Sequence, residues 1–64
     1  MSKLKQARER HGITQQKMAD ALGITASRYS QMETHPERVR ADQMEIICGI
    51  LHENPQRLFF ANSR

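Results

Sequence analysis

A single cysteine, Cys48, stands in 64 residues. No internal disulfide can form, and a reducing cytoplasm is the expected setting. Long hydrophobic runs are also missing. Met-Ser-Lys-Leu-Lys opens the chain with no apolar stretch behind it, so no signal peptide is expected. Nothing approaches the roughly 20 apolar residues of a membrane span. There is no glycine-rich phosphate loop, and no carboxylate pair stands beside a base that could serve it, so the chain does not read as an enzyme. His11, His35 and His52 are too dispersed to form a metal constellation, and neither metal nor cofactor is expected. No segment alternates with period two for long enough to make a strand, and no repeat, low-complexity tract or linker is visible.

What remains is small, polar and basic. Ten Lys and Arg against seven Asp and Glu leave a formal charge of +3, which suits a polyanionic partner without proving one. Hydrophobic residues at 38% against 27% charged describe a folded domain rather than a disordered tail. A chain this short buries only about 60% of its unfolded surface, so idealised helices or a second copy would be needed for ample stability.

Glycine, proline and threonine punctuate the chain. The first helix is expected over about 3–11, with Leu4, Ala7 and His11 along one stripe. Gly12 follows, where a left-handed cap favours glycine. Thr14 caps a second helix through Leu22 that buries Met18, Ala19 and Leu22, and Gly23 ends it. Thr25 caps a third, over 25–33. His35-Pro36 breaks the pattern, and a polar loop carries Glu37, Arg38 and Arg40. A fourth helix over 42–52 turns Met44, Ile47, Cys48 and Leu51 inward. Asn54-Pro55, a cap followed by proline at the first helical position, starts a short fifth over 55–60. The expectation is an all-α chain forming one compact five-helix domain over residues 1–64.

The second and third helices carry the functional signal. Met18, Ala19, Leu22, Ile24, Tyr29 and Met32 are apolar, and Gly23 marks the elbow, within the twenty residues from Thr14 to Glu33. This is the outline of a helix-turn-helix, whose second helix lies in the major groove of DNA. The signposts extend further: Arg8, Gly12-Ile13-Thr14-Gln15, Met18-Ala19, Leu22-Gly23-Ile24-Thr25, Tyr29, Glu33, Leu51 and Leu58-Phe59. In their order and spacing they resemble the Cro and phage-repressor type of helix-turn-helix, the Xre family, across Leu4 to Phe59. The resemblance implies a lambda-repressor-like DNA-binding domain with Thr25 to Glu33 as recognition helix and dimerisation through the C-terminal segments. It also implies a pair between Arg8 and Glu33. The chain departs from the family in His35, where glycine is frequent, in a next loop about one residue longer, and in Glu53, where the family is usually apolar.

The charges point to DNA independently of the resemblance. Helix N-termini favour acids, and capping boxes place Glu or Gln three residues after the cap. Lys17 follows Thr14 and Arg28 follows Thr25 at that spacing, so both helices carry a cation where isolated stability favours an acid. A phosphate partner explains this better than folding does; the bland alternative is two solvated side chains. On the third helix Ala26, Ser27, Ser30 and Gln31 form the exposed face, flanked by Arg28. Ala26 suits a thymine methyl, Ser27 a base edge, Gln31 an adenine and Arg28 a guanine or phosphate. Gln15, Lys17, Ser30, Arg38 and Arg40 are the candidate phosphate contacts. The resemblance puts Gln15 where the family either touches phosphate or braces the recognition helix.

The other marked residues read as structural or as interface. Arg8 and Glu33 are expected to form a partly buried ion pair, and Cys48 reads as a small buried hydrophobe. Ile46 and Ile50 point away from the inward stripe of the fourth helix. Phe60 is left outward because two adjacent aromatics cannot both enter one small core. These three form a candidate dimer interface. The function read from the sequence is a sequence-specific regulator, with double-stranded DNA as partner and a small twofold repressor as the form. The alternative is an antitoxin or other interaction module that uses the same scaffold to hold a protein partner such as a toxin.

Overall fold

Two threonines and two glycines set the frame of the structure, a computed structural model that describes residues 3–60 and, of Phe60, only the backbone. The first helix, α1 (Lys3–Arg10), ends one residue before His11, which is exposed rather than part of the inward stripe. Gly12 then takes φ +68°, a left-handed conformation that costs a residue with a Cβ roughly 1–2 kcal/mol. Thr14 starts α2 (Gln15–Leu22) and Thr25 starts α3 (Ala26–Thr34). Both threonines are extended, and their Oγ1 atoms accept from the N–H of Lys17 and of Arg28, each at 3.1 Å. Between these helices Gly23 sits at φ +71°. Its N–H donates to Asp20 O and that of Ile24 to Ala19 O, which occupies carbonyls that α2 would leave bare.

Past α3 the chain is more ordered than a plain polar loop. His35 donates its N–H to Gln31 O at 2.8 Å, and Pro36–Arg38 form a single 3₁₀ turn. Val39 follows and is buried, which pins the turn to the core. Helix α4 (Ala41–Leu51) begins one residue earlier than its polar flank suggests, with the Arg40 N–H donating to Gln43 Oε1 at 3.1 Å. It stops at His52, a left-handed non-glycine residue at φ 54°. Asn54 Oδ1 then accepts from Gln56 N–H at 2.8 Å, as a cap should. The final segment, Gln56–Phe60, is π-helical where an α-helix was expected. So short a piece makes too few α-type bonds to fix its own winding, and the burial of Leu58 sets its path instead.

All these elements share one core. It is built from Leu4 and Ala7 of α1, Met18 and Ala19 of α2, Tyr29 of α3, Val39, Ile47, Cys48 and Leu51 of α4, and Leu58. Leu4, Met18, Tyr29, Ile47 and Leu51 are fully buried. At about 1.5–3 kcal/mol per large side chain they form the main favourable term. Leu22, Met32 and Met44 pack around the edge half-buried, so the inward stripes are right in direction but taper at their ends. Burial, and secondarily Glu53, push the Cys48 thiol up, and it fills space as a neutral group. Among the described residues no helix is long and apolar enough to cross a membrane.

Candidate nucleic-acid interface

A buried polar knot holds α3 in place. Arg8 Nε of α1 donates to Glu33 Oε2 near the end of α3, and Nη2 reaches Oε1 at 3.4 Å. Nη1 donates to Ile13 O at 2.6 Å, and Gln15 Nε2 donates to Glu33 Oε1 at 3.1 Å. A carboxylate near a helix C-terminus faces the negative end of the dipole and needs such compensation. The hydrogen bond to Glu33 raises the Arg8 guanidinium further above its ordinary range, although burial works against it. Tyr29 packs beside the pair, with its hydroxyl buried and without a hydrogen-bond partner among the described residues. Burial first, and then the Glu33 carboxylate, push that hydroxyl far up. Three helices thus meet on one ion pair, which fixes the direction in which α3 leaves the core.

With Tyr29 inward, α3 presents Ser27, Arg28 and Gln31 to solvent. Ala26 and Ser30 are half-buried at the margin: Ala26 packs partly against the core, and Ser30 O accepts from Thr34 Oγ1 at 3.2 Å. Lys17 is exposed in the first turn of α2. There, as in the first turn of α3, no acid offsets the charge. The surface is small at its centre and cationic at its edge, the form needed for close approach to base edges beside phosphates. Gln15 is half-buried, and its amide nitrogen is held by Glu33, so it braces α3 from α2.

Arg38 and Arg40 stand beside α3. Together with Arg28, Gln31, Met32, His35 and Gln43 they line an open recess of about 140 Å³. Arg28, Gln31 and His35 follow one another at i, i+3 and i+7, so a single helical stripe runs into the recess. His35 Nδ1 stands 3.4 Å from Glu37 Oε2, and Arg40 Nη2 stands 3.5 Å from Asp42 Oδ2. The sequence reading passed over His35 and Gln43. In the sequence His35 marks a helix break and a departure from the family, and nothing singles out Gln43. The 28–31–35 spacing was the available signal.

Of the residues marked for dimerisation, Ile46 and Ile50 differ in exposure. Ile46 is 43% exposed, the only large hydrophobic so exposed among the described residues. Ile50 is half-buried and packs partly against the core rather than standing clear. The side chain of Phe60 lies outside the described part.

A buried ion pair bracing a capped helix pair, with a polar and cationic outer face, is the arrangement of a DNA-binding helix-turn-helix. The helix-turn-helix family model matches residues 4–58. The chain belongs to that family, in its Cro and phage-repressor form, whose members are DNA-binding regulatory domains. No curated protein and no solved structure matches the chain.

Proposed function

We propose that this protein is a sequence-specific transcriptional regulator that binds a near-palindromic operator as a twofold dimer. The observation that carries the reading is the outer face of α3, where small Ser27 and long Gln31 and Arg28 project from a helix locked by Arg8–Glu33. Ser27, Arg28 and Gln31, with the Ala26 methyl at the margin, read base edges. Lys17, Ser30, Arg38 and Arg40 take phosphates and set the register on the duplex. Gln15 joins them with whatever donor capacity Glu33 leaves it. Ile46 and the exposed part of Ile50 form the contact between copies, for which the sequence also offers Phe60. That contact would hold two recognition helices about 34 Å apart, one helical turn of DNA. Repression follows from simple occupancy, since blocking a promoter needs no further surface.

Selection from a random duplex pool tests this, followed by a salt titration on the enriched sequence. Two related half-sites about one turn apart are expected. For six to ten neutralised phosphates, affinity should fall about 10³- to 10⁵-fold between roughly 50 and 200 mM salt. Binding that enriches no sequence and merely fades with salt would reject sequence reading. Capture of one stoichiometric small protein in place of a second copy would favour the antitoxin alternative.

A further inference from the structure

We propose a second binding site, in the recess between α1 and the final segment, that takes a small phosphate monoester carrying hydroxyl groups. The recess measures about 390 Å³, within the range of small-molecule sites, and is lined by Lys3, Gln6, Arg10, Glu53, Arg57 and Leu58. It shares no lining residue with the recess beside α3. On α1, Lys3, Gln6 and Arg10 follow one another at i, i+3 and i+7 and form one stripe. Arg8, which reaches Glu33 of α3, lies about half a turn around the helix from that stripe. The site thus stands on a side of α1 turned from α3, and it does not depend on the DNA-binding reading.

The lining selects the ligand. Leu58 is the one apolar contributor, too little to hold a ligand by burial of apolar surface. Lys3, Arg10 and Arg57 against Glu53 leave two net positive charges in the recess. A phosphate monoester, at about −1.5 to −2 near pH 7, matches them. Arg10 and Arg57 come from separate elements, and each offers the planar fork that suits phosphate oxygens. Glu53 narrows the choice. The chain carries a carboxylate here where the family is usually apolar, and its side chain is only 19% exposed. It accepts from Arg10 Nη2 at 3.1 Å, so it holds that guanidinium at the recess. A carboxylate repels a bare anion, yet it keeps acceptor capacity beyond one N–H. It therefore favours a phosphate joined to hydroxyl donors over inorganic phosphate. Gln6 adds both a donor and an acceptor. Sugar phosphates and nucleoside monophosphates share this chemistry.

The test is isothermal titration calorimetry of the native chain at low salt with ribose 5-phosphate, adenosine 5′-monophosphate, inorganic phosphate and ribose. At least one ester should bind about tenfold more tightly than inorganic phosphate, and ribose should not bind. The tighter ester names the source, sugar phosphate or nucleotide. Arg57→Gln should weaken it by about tenfold, the loss of one charged hydrogen bond, and Arg38→Gln should leave it unchanged. Glu53→Leu should bring the ester to the level of inorganic phosphate. Because Arg57 is exposed, Arg57→Gln should keep the native circular dichroism. The melting temperature of the native chain should also rise with the concentration of the ester, since the ligand joins α1 to the final segment in the folded state alone. Ester binding that Arg38→Gln weakens and Arg57→Gln does not would place the anion beside α3 and overturn the inference. Equal affinity for esters and inorganic phosphate, or no binding of either ester, would overturn it as well. None of these results touches the DNA reading, which duplex selection tests by itself.

Discussion

Arg8 and Glu33, 25 residues apart in sequence, form a buried ion pair that joins α1 to the end of α3. Ile13 O and Gln15 Nε2 occupy their remaining hydrogen-bonding capacity, so neither charge is stranded. Such a pair is weak evidence for net stability, but breaking it is costly. Glu33→Ala should remove about 3–5 kcal/mol, most of what a chain of this size has in reserve. The variant should show little cooperative melting. A folded Glu33→Ala with native melting temperature would mean that the knot does not hold the fold.

Tyr29 gives the opposite expectation. Its hydroxyl is buried without a partner among the described residues, a cost that phenylalanine avoids. Tyr29→Phe should leave stability unchanged or raise it by about 1 kcal/mol. The pH dependence follows from the direction of its shift. The folded state holds the phenol proton past the ordinary value, whereas the unfolded chain releases it near pH 10. Above about pH 10 the folded state thus binds more protons, and stability falls as pH rises. That alkaline loss should shrink in Tyr29→Phe, read from urea melts at increasing pH; equal slopes in both proteins would contradict it.

Two left-handed positions offer a matched pair. At Gly23 an added Cβ meets no atom within 4 Å, so Gly23→Ala feels only backbone strain. It should cost about 1–2 kcal/mol. At His52 the strain is already present, and His52→Gly should return up to about 1 kcal/mol. For a domain of this length that is several degrees of melting temperature in opposite directions. Equal melting temperatures for the two variants would refute the assignment of strain.

The exposed isoleucine bears on assembly. Ile46→Asp should leave the melting profile of the monomer near native, because nearly half of the residue is already in water. Sedimentation should show a weaker dimer, and affinity for a two-half-site duplex should fall more than for a single half-site. A native dimer constant would move the contact elsewhere. Ile50→Asp is the poorer probe, since Ile50 also packs on the core.

Much of this was legible because it rests on short-range rules. Threonine before an apolar-periodic run, and glycine after it, placed both ends of α2 and the start of α3 from local chemistry alone. The Arg8–Glu33 pair came from the family resemblance, and the structure supplies its reason in the buried charges of α1 and α3. The segment from His35 to Arg40 was hidden. Arginine is no usual cap, and Arg40 fills that place only because Gln43 reaches back to its N–H. Val39 carries no periodic signal between Arg38 and Arg40, and only tertiary packing shows it buried. The recess around His35 was out of reach for the same reason, since it needs the 3₁₀ turn and the start of α4 to close beside α3. Ile50 was read from helical angle alone, which does not show how far the core extends around α4.

The central claim is that α3 reads bases while its neighbours hold phosphates. The most direct test is to repeat the duplex selection with the native chain, Gln31→Ala and Arg38→Ala side by side. Gln31→Ala should relax the preference at one position of each half-site and cost about 1–3 kcal/mol there. Arg38→Ala should weaken all sequences alike and reduce the salt slope by about 1 per protomer. If Gln31→Ala leaves every position of the enriched sequence unchanged, α3 is not reading through this face.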